Sequence, residues 1–321
     1  MSDLHIDSQT DSQTDAQLEQ AVFSLVAAQR TGAISRRDFL ARAAGLLGGA
    51  VAANGLWLAS TGAPIVAVAA AMGALSPRPV EAADQATYLD LITATVPLNA
   101  FGSDTTGFLA RPQAAGALPP VIVIQEWWGV DAHIKDVAAR FARAGFVALA
   151  PDLYRGAVAQ EPTDAQRLVM KVQIPQALND IQTAINYLVA QPFSTPKQVG
   201  VIGFCFGGGI AMRMAYNGQH IGAVATLYGA GANPTDTELS HVTAPVIGFY
   251  GGQDKSVPAD QIARWYTTLK ADGIPAESHI YADAQHAFFN DTRSSYNKPA
   301  SEDAWTRTLA WFRQYIPVER F

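Results

Sequence analysis

The chain has 321 residues, 49% of them hydrophobic and 16% charged, and a net charge of −6. That apolar content is enough to bury a core, which excludes disorder over most of the length. The mild acidity, with no run of Lys and Arg, excludes a nucleic-acid footprint, and the single cysteine, Cys205, excludes an intramolecular disulfide and any cysteine-built zinc or iron–sulfur site.

Residues 1–34 are mostly polar and carry a short repeat, Asp7-Ser-Gln-Thr followed by Asp11-Ser-Gln-Thr. Such a segment has little to bury and is expected to be disordered. Ser35-Arg36-Arg37-Asp38-Phe39-Leu40 then leads into a stretch from 43 to 75 that is rich in Ala and Gly and has no Asp, Glu, Lys or Arg. An arginine pair ahead of an uncharged run resembles a twin-arginine export signal. The export machinery is then a partner of the precursor, and the periplasm the expected location. The run exceeds the roughly 20 residues that span a bilayer, so a retained membrane anchor is the alternative; the glycines and modest hydrophobicity suit a cleavable signal better. The expected organisation is a signal-bearing segment over 1–83 and one folded domain over 84–321.

Within that domain, short strands are predicted at 87–95 and 105–110, joined by a turn-rich hairpin over 99–104. Pro120-Val-Ile-Val-Ile-Gln125 is a continuous apolar run, the pattern of a strand buried on both faces. Ile134, Val137, Ala138 and Phe141 recur at helical spacing, and Gly145 ends that helix. A strand over 146–150 stops at Pro151, and position alone makes 161–171 a candidate lid. Leu178, Ile181, Ile185 and Leu188 share one face of a helix over 176–190. A strand over 198–203 runs into a glycine-rich turn and a helix over 210–216. Strands at 224–228 and 245–250, a helix at 259–271, a strand at 277–281 and a helix at 302–315 follow. Strands alternating with helices predict an α/β fold, a mostly parallel central sheet with helices on both faces. The sequence carries no solenoid repeat and no sign of a second folded domain.

Three predicted strand ends carry the chemistry. Gly203-Phe204-Cys205-Phe206-Gly207-Gly208-Gly209 follows a strand and opens a helix, the nucleophile-elbow pattern with cysteine in place of serine. The positive end of the helix favours thiolate over thiol, and the Phe206 N–H is placed to be an oxyanion donor. A buried, inert cysteine is the plain alternative. On this fold an acid and then a histidine follow the nucleophile. Asp254, in Gly251-Gly252-Gln253-Asp254, fits the acid, with an ordinary turn carboxylate as the alternative. His286 fits the histidine, since His5 lies in the N-terminal segment, His133 near a helix start, His220 and His241 in polar loops and His279 inside a strand. Gln125-Glu126-Trp127-Trp128-Gly129 ends the apolar strand. The Trp127 N–H there is expected to be the second oxyanion donor, and the Trp pair forms either a pocket wall or core packing.

Together, the Gln125-to-Gly129 motif, Ala150-Pro151-Asp152-Leu153-Tyr154, the Cys205 elbow, Gly252-Gln253-Asp254 and His286-Ala287-Phe288-Phe289 resemble the dienelactone hydrolase family of the α/β-hydrolase superfamily, over about residues 86–321. The resemblance implies an α/β-hydrolase fold and carboxymethylenebutenolidase-like opening of an enol-lactone through an acyl-cysteine. It implies a small ester or lactone as the bound partner, no cofactor and no metal, and a triad of Cys205, His286 and Asp254. It also implies that Glu126 contacts the thiol and takes its proton when substrate arrives. Two arginines of the family hold a substrate carboxylate. Here Arg155 stands about one residue early for the first, and the second position, four residues after His286, is Asn290, with Arg293 nearby. Arg155, Arg293 and Trp128 are therefore the expected substrate contacts. A general carboxylesterase or thioesterase, and a non-catalytic binding protein on the same fold, are the rival readings.

Overall fold

The computed structural model describes residues 88–113 and 116–317, the pair Arg78–Pro79 and five positions between 35 and 42. The rest of the expected export signal lies outside the described residues. The fold below belongs to the unit Pro77–Phe321.

The strands are β1 Arg78–Pro79, β2 Leu91–Pro97, β3 Thr106–Pro112, β4 Pro120–Ile124, β5 Val147–Pro151, β6 Val199–Phe204, β7 Ile221–Leu227, β8 Val246–Gly251 and β9 Ala276–Tyr281. The helices are α1 Ala132–Arg143, α2 Pro162–Lys171, α3 Ile174–Ala190, α4 Phe206–Asn217, α5 Asp236–Leu239, α6 Ala259–Ala271 and α7 Lys298–Tyr315. The strands form one sheet in the order β1-β2-β3-β5-β4-β6-β7-β8-β9. The β1–β2, β2–β3 and β3–β5 pairs are antiparallel, and every pair from β5 across to β9 is parallel. Every residue of β4, β5, β6 and β8 is buried, as their unbroken apolar sequences require of strands covered on both sides.

Two glycines of β6 show how the layers are arranged. A Cβ on Gly200 would meet Phe312 of α7 and Ile316 at 3.1–3.3 Å, whereas one on Gly203 would lie 2.0 Å from the carbonyl oxygen of Gly207 in α4. Side chains three apart on a strand point to opposite faces, so α7 covers one face of the sheet and α4 the other. Phe141 of α1 packs edge-on to Trp305 of α7 at 4.6 Å and lies 5.9 Å from Phe312, which places α1 beside α7.

Some elements depart from the sequence expectation for local reasons. The Leu91 N–H donates to the Tyr88 carbonyl at 2.9 Å, so a turn precedes β2 and delays its start. The candidate lid is helix α2, opened by Pro162 in its first turn, where a missing N–H costs nothing. Helix α5 is too short for a periodicity signal and is held by a capping box between Thr235 and Glu238. Strand β1 falls inside the segment read as N-terminal to the domain, with Arg78 opposite Thr95 of β2.

Candidate active site

Cys205, Asp254 and His286 meet beyond the C-terminal ends of the parallel strands, where open α/β sheets place their sites. Cys205 joins β6 to α4 with φ of +52° and ψ of −116°, a backbone conformation that non-glycine residues adopt at a cost. The turn is pinned from the neighbouring strand: the Cys205 N–H donates to the Leu227 carbonyl at 3.1 Å, and the Cys205 carbonyl accepts from Ala230 N–H at 3.1 Å. Glycine at 207 is obligatory, because a Cβ there would lie 2.3 Å from the Gln125 carbonyl oxygen at the end of β4. The strained turn lifts the half-buried Cys205 side chain to the first turn of α4. Phe206 N–H, at the first position of that helix, has no intrahelical acceptor.

The loop after β8 is hydrogen-bonded to the end of β9 and to the loop that follows it. Gly252 N–H donates to the Tyr281 carbonyl at 2.7 Å, and Gln253 N–H to the Ala284 carbonyl at 3.0 Å. That pairing sets His286 Nδ1 2.7 Å from Asp254 Oδ2 and His286 Nε2 3.0 Å from Cys205 Sγ. Burial opposes a charge on His286, but the hydrogen bonds to Asp254 and Cys205 outweigh it and carry the imidazole pKa up to about 10. Burial likewise pushes the Asp254 carboxyl upward; the hydrogen bonds from His286 and Ser256 prevail, and its pKa is lowered. Ser256 is a member of this group that sequence reasoning missed. Its N–H donates to Asp254 Oδ1 at 2.8 Å and its hydroxyl lies 3.1 Å from His286 Nδ1. The available signal was its position two residues after an aspartate, an ordinary Asx-turn spacing.

The turn after β4 carries Glu126 and Trp127. The Gly129 N–H donates to the Glu126 carbonyl at 3.3 Å. In a trans peptide the following N–H points the opposite way, so this bond orients the Trp127 N–H. The Tyr154 hydroxyl donates to the Trp127 carbonyl at 3.1 Å and holds the next peptide. Trp127 and Trp128 meet edge to face at 5.1 Å. Trp128 is buried and Trp127 half-buried; with Ala159, Ala165 and Leu168 they form a small cluster beside the main core.

Glu126 is buried, and its carboxylate does not hydrogen-bond to the thiol as the resemblance implied. Its Oε1 accepts from the Tyr228 hydroxyl at 3.0 Å and its Oε2 from the Asn290 side-chain amide at 2.7 Å. Burial and then the Glu126 charge hold the Tyr228 phenol protonated well above its ordinary pKa. Tyr228 follows β7 with φ of +39°, and its ring lies 5.1 Å from that of His286.

The expected substrate arginines differ in environment. Arg155 is engaged by two carboxylates: Nη1 donates to the buried Asp180 and Nη2 to Asp104, each at 2.7 Å. Asp180 also accepts from Ser103 at 2.6 Å and Gln176 at 2.9 Å. A substrate carboxylate would have to compete with both, so the expected contact at Arg155 gives way to an internal ion-pair network. Arg293 instead lies flat on Trp128, its guanidinium carbon 3.8 Å from the ring centroid. It borders a cavity of about 460 Å³ together with His133, Lys135 and Gln160. Among the described residues Arg293 makes no ion pair, its Nε is buried without a partner, and no cluster of metal-ligating side chains occurs.

A mostly parallel sheet with its strained turn at a strand-to-helix junction, faced by loops from three other strands, defines an α/β-hydrolase. Residues 105–316 match the Dienelactone hydrolase family. The chain is 36% identical over 229 residues to the Salmonella typhimurium protein named "Putative carboxymethylenebutenolidase", covering 67% of this chain and 84% of that one. Among solved structures it resembles the "Putative Dienelactone Hydrolase" of Klebsiella pneumoniae, with a TM-score of 0.64 and 33% identity over 70% of this chain and 99% of that one. A dienelactone hydrolase-like promiscuous phosphotriesterase from metagenomic libraries shares the fold at a TM-score of 0.63 and 22% identity, over 70% of this chain and 98% of that one. The chain belongs to the dienelactone hydrolase family and is a carboxymethylenebutenolidase-like hydrolase.

Proposed function

We propose that this hydrolase is a cysteine enzyme that cleaves a small ester or lactone through an acyl-cysteine, without a cofactor. The observation that carries the reading is the continuous chain from Asp254 through His286 to Cys205, at 2.7 and 3.0 Å. The Cys205 thiolate attacks the substrate carbonyl carbon, and the carbonyl π electrons move onto oxygen. The Phe206 and Trp127 N–H groups receive that oxyanion; losing one such donor typically costs about 2.7–4 kcal/mol of transition-state stabilisation. As the intermediate collapses, the C–O bond breaks and His286 gives its Nε2 proton to the leaving alkoxide or enolate. His286 then takes a proton from water, whose oxygen attacks the thioester and releases the acid and Cys205. Asp254 holds the imidazole in register and stabilises its charged form.

Arg293 and Trp128 are the proposed substrate contacts. Among the described residues the guanidinium stacked on Trp128 pairs with no carboxylate, which leaves it for a substrate carboxylate, for which Arg suits bidentate pairing. With Arg155 engaged elsewhere and Asn290 neutral, simple neutral esters are the second reading of the substrate. Hydrolysis of cis- and trans-dienelactone and of p-nitrophenyl acetate, with a Cys205→Ala variant beside the parent, tests both. Dienelactone turnover lost in the variant supports the enol-lactone; turnover of the simple ester alone keeps the cysteine and drops that substrate. Equal turnover by the variant overturns the mechanism.

We also propose that residues 35–83 direct export by the twin-arginine route and that the enzyme works in the periplasm. The arginine pair and the uncharged run after it support this. Replacing Arg36 and Arg37 together by lysine should retain the product in the cytoplasm; unchanged export would overturn the proposal.

A further inference from the structure

The turn that carries the Trp127 N–H is held from outside as well as from within. Its internal bond, from the Gly129 N–H to the Glu126 carbonyl, is long at 3.3 Å. The next two carbonyls are both bound by one neighbouring segment, the connection between β5 and α2. The Tyr154 hydroxyl donates to the Trp127 carbonyl at 3.1 Å, and the Ala159 N–H donates to the Trp128 carbonyl at 2.9 Å. Gly129, at φ of +101°, lets the two segments touch. A Cβ there would lie 2.6 Å from the Ala157 carbonyl oxygen and 3.3 Å from Cδ2 of the Tyr154 ring.

The outer segment is anchored in its turn. Asp152 is buried, and its carboxylate accepts from the Tyr154 N–H at 2.9 Å and from the Gly156 N–H. The Asp152 carbonyl accepts from the Thr105 hydroxyl. The Tyr154 ring is buried as well, and burial above all holds its phenol protonated beyond its ordinary pKa. It therefore remains a donor over the range in which esters are assayed. A phenol has a single O–H to give. Bound to the Trp127 carbonyl, it has none for a substrate oxygen, so its effect on the reaction passes through the turn.

An oxyanion donor works only where it meets the oxygen of the tetrahedral intermediate, and a small misplacement is costly. Resting on the reading above, in which the Trp127 N–H receives the oxyanion, we propose that Tyr154 is a positioning residue for that donor. Its hydroxyl holds the turn after β4 in the place from which the Trp127 N–H reaches the intermediate.

The test removes the hydroxyl and leaves the ring. Tyr154→Phe keeps the packing against Gly129, and its unfolding midpoint confirms that the domain is intact. The full chain is assayed with p-nitrophenyl acetate. Inhibition by 1,1,1-trifluoroacetone is measured beside it, because addition of the Cys205 thiolate to that ketone makes an oxyanion and expels no leaving group. Cys205 alkylation by iodoacetamide, which makes no oxyanion, is the control. The variant should lose about 5- to 50-fold in kcat, less than the roughly 10²–10³-fold that follows outright loss of an oxyanion donor, with KM within about threefold. The ketone Ki should rise by about the factor by which kcat/KM falls, and alkylation should stay within about twofold of the parent. Amide exchange over residues 126–130 should quicken, which separates positioning from direct contact between the phenol and substrate. An unchanged kcat, an unchanged Ki beside a lowered kcat, alkylation falling in step with kcat, or unchanged exchange over 126–130 would each overturn the proposal. Failure of the cysteine-hydrolase reading looks different: turnover would then survive Cys205→Ala.

Discussion

Ser256 and Asp254 reach the same atom of His286: the serine hydroxyl lies 3.1 Å from Nδ1 and the carboxylate Oδ2 lies 2.7 Å from it. The shorter contact bears the charge, and the serine backbone N–H holds that carboxylate in place. The two residues should therefore differ sharply on substitution. Asp254→Asn should lower kcat by about 10³-fold or more, since an amide neither selects the tautomer nor stabilises the imidazolium. Ser256→Ala keeps the backbone N–H and should lower kcat by only about two- to fivefold, with the loss of a single weak hydrogen bond. Ester hydrolysis by the two variants measures the difference, and equal losses would contradict this division.

The pKa of His286 makes part of the stability depend on pH. Its folded value of about 10 stands above the ordinary 6.5, so the folded state binds the proton more tightly than the unfolded chain. The contribution is fully present below pH 6.5 and is lost as pH rises through about 10. Asp254 acts in the opposite range: its lowered pKa stabilises the fold above the ordinary carboxylate range, and that contribution is lost on acidification. The Tm difference between the parent and His286→Gln should shrink steadily from pH 6.5 to 10. A constant difference across that range would be inconsistent with the raised pKa.

The elbow glycines make a prediction about stability rather than catalysis. In Gly207→Ala the methyl would meet the carbonyl oxygens of Gln125 at 2.3 Å and Ile124 at 2.6 Å. Both are backbone atoms at the end of a buried central strand, so neither can move aside cheaply. The variant should lose about 3 kcal/mol or more, toward the upper end of overpacking costs. Urea unfolding followed by circular dichroism would measure it.

Arg155 should register as a structural residue. Its replacement by Met would leave Asp180, which has no exposed side-chain surface, with hydrogen bonds from Ser103 and Gln176 but without its cation. Breaking a buried pair from one side costs about 3–5 kcal/mol; the third of the Arg155 side chain that remains exposed places this case at or below the low end. The same unfolding measurement applies, and restoration by Asp180→Asn in the Arg155→Met background would identify the stranded charge as the cause.

What could be read from the sequence was what local pattern determines. The continuous apolar run at 120–125 and the apolar strand at 198–203 announce buried strands, and the observed β4 and β6 are covered on both faces. Cys205 announces its turn because strand, glycines and helix are contiguous around it. Asp254 and His286 were accessible because their order along the chain follows from the fold. The partners of Glu126 were not, since Tyr228 lies 102 residues away and Asn290 164 residues away, and only the pairing of β4, β6, β7, β8 and β9 brings them together. Arg155 misleads for the same reason. Asp104 and Asp180, which engage it, are 51 and 25 residues distant, and nothing near Arg155 in the sequence announces either.

Helix α2 is attached in an unusual way. Of its ten residues only Ala165 is fully buried, and Ala165 rests in the small cluster with Trp128 and Ala159, with Leu168 touching both that cluster and the main core. Detaching it would uncover few apolar side chains, so its opening is expected to cost less than global unfolding. Amide hydrogens of α2 should exchange by local opening while those of α3 wait for the whole domain to unfold. The tryptophans beside Glu126 would then be uncovered many times in the life of one folded molecule, and traffic past them would be governed by a few side chains rather than by the stability of the sheet.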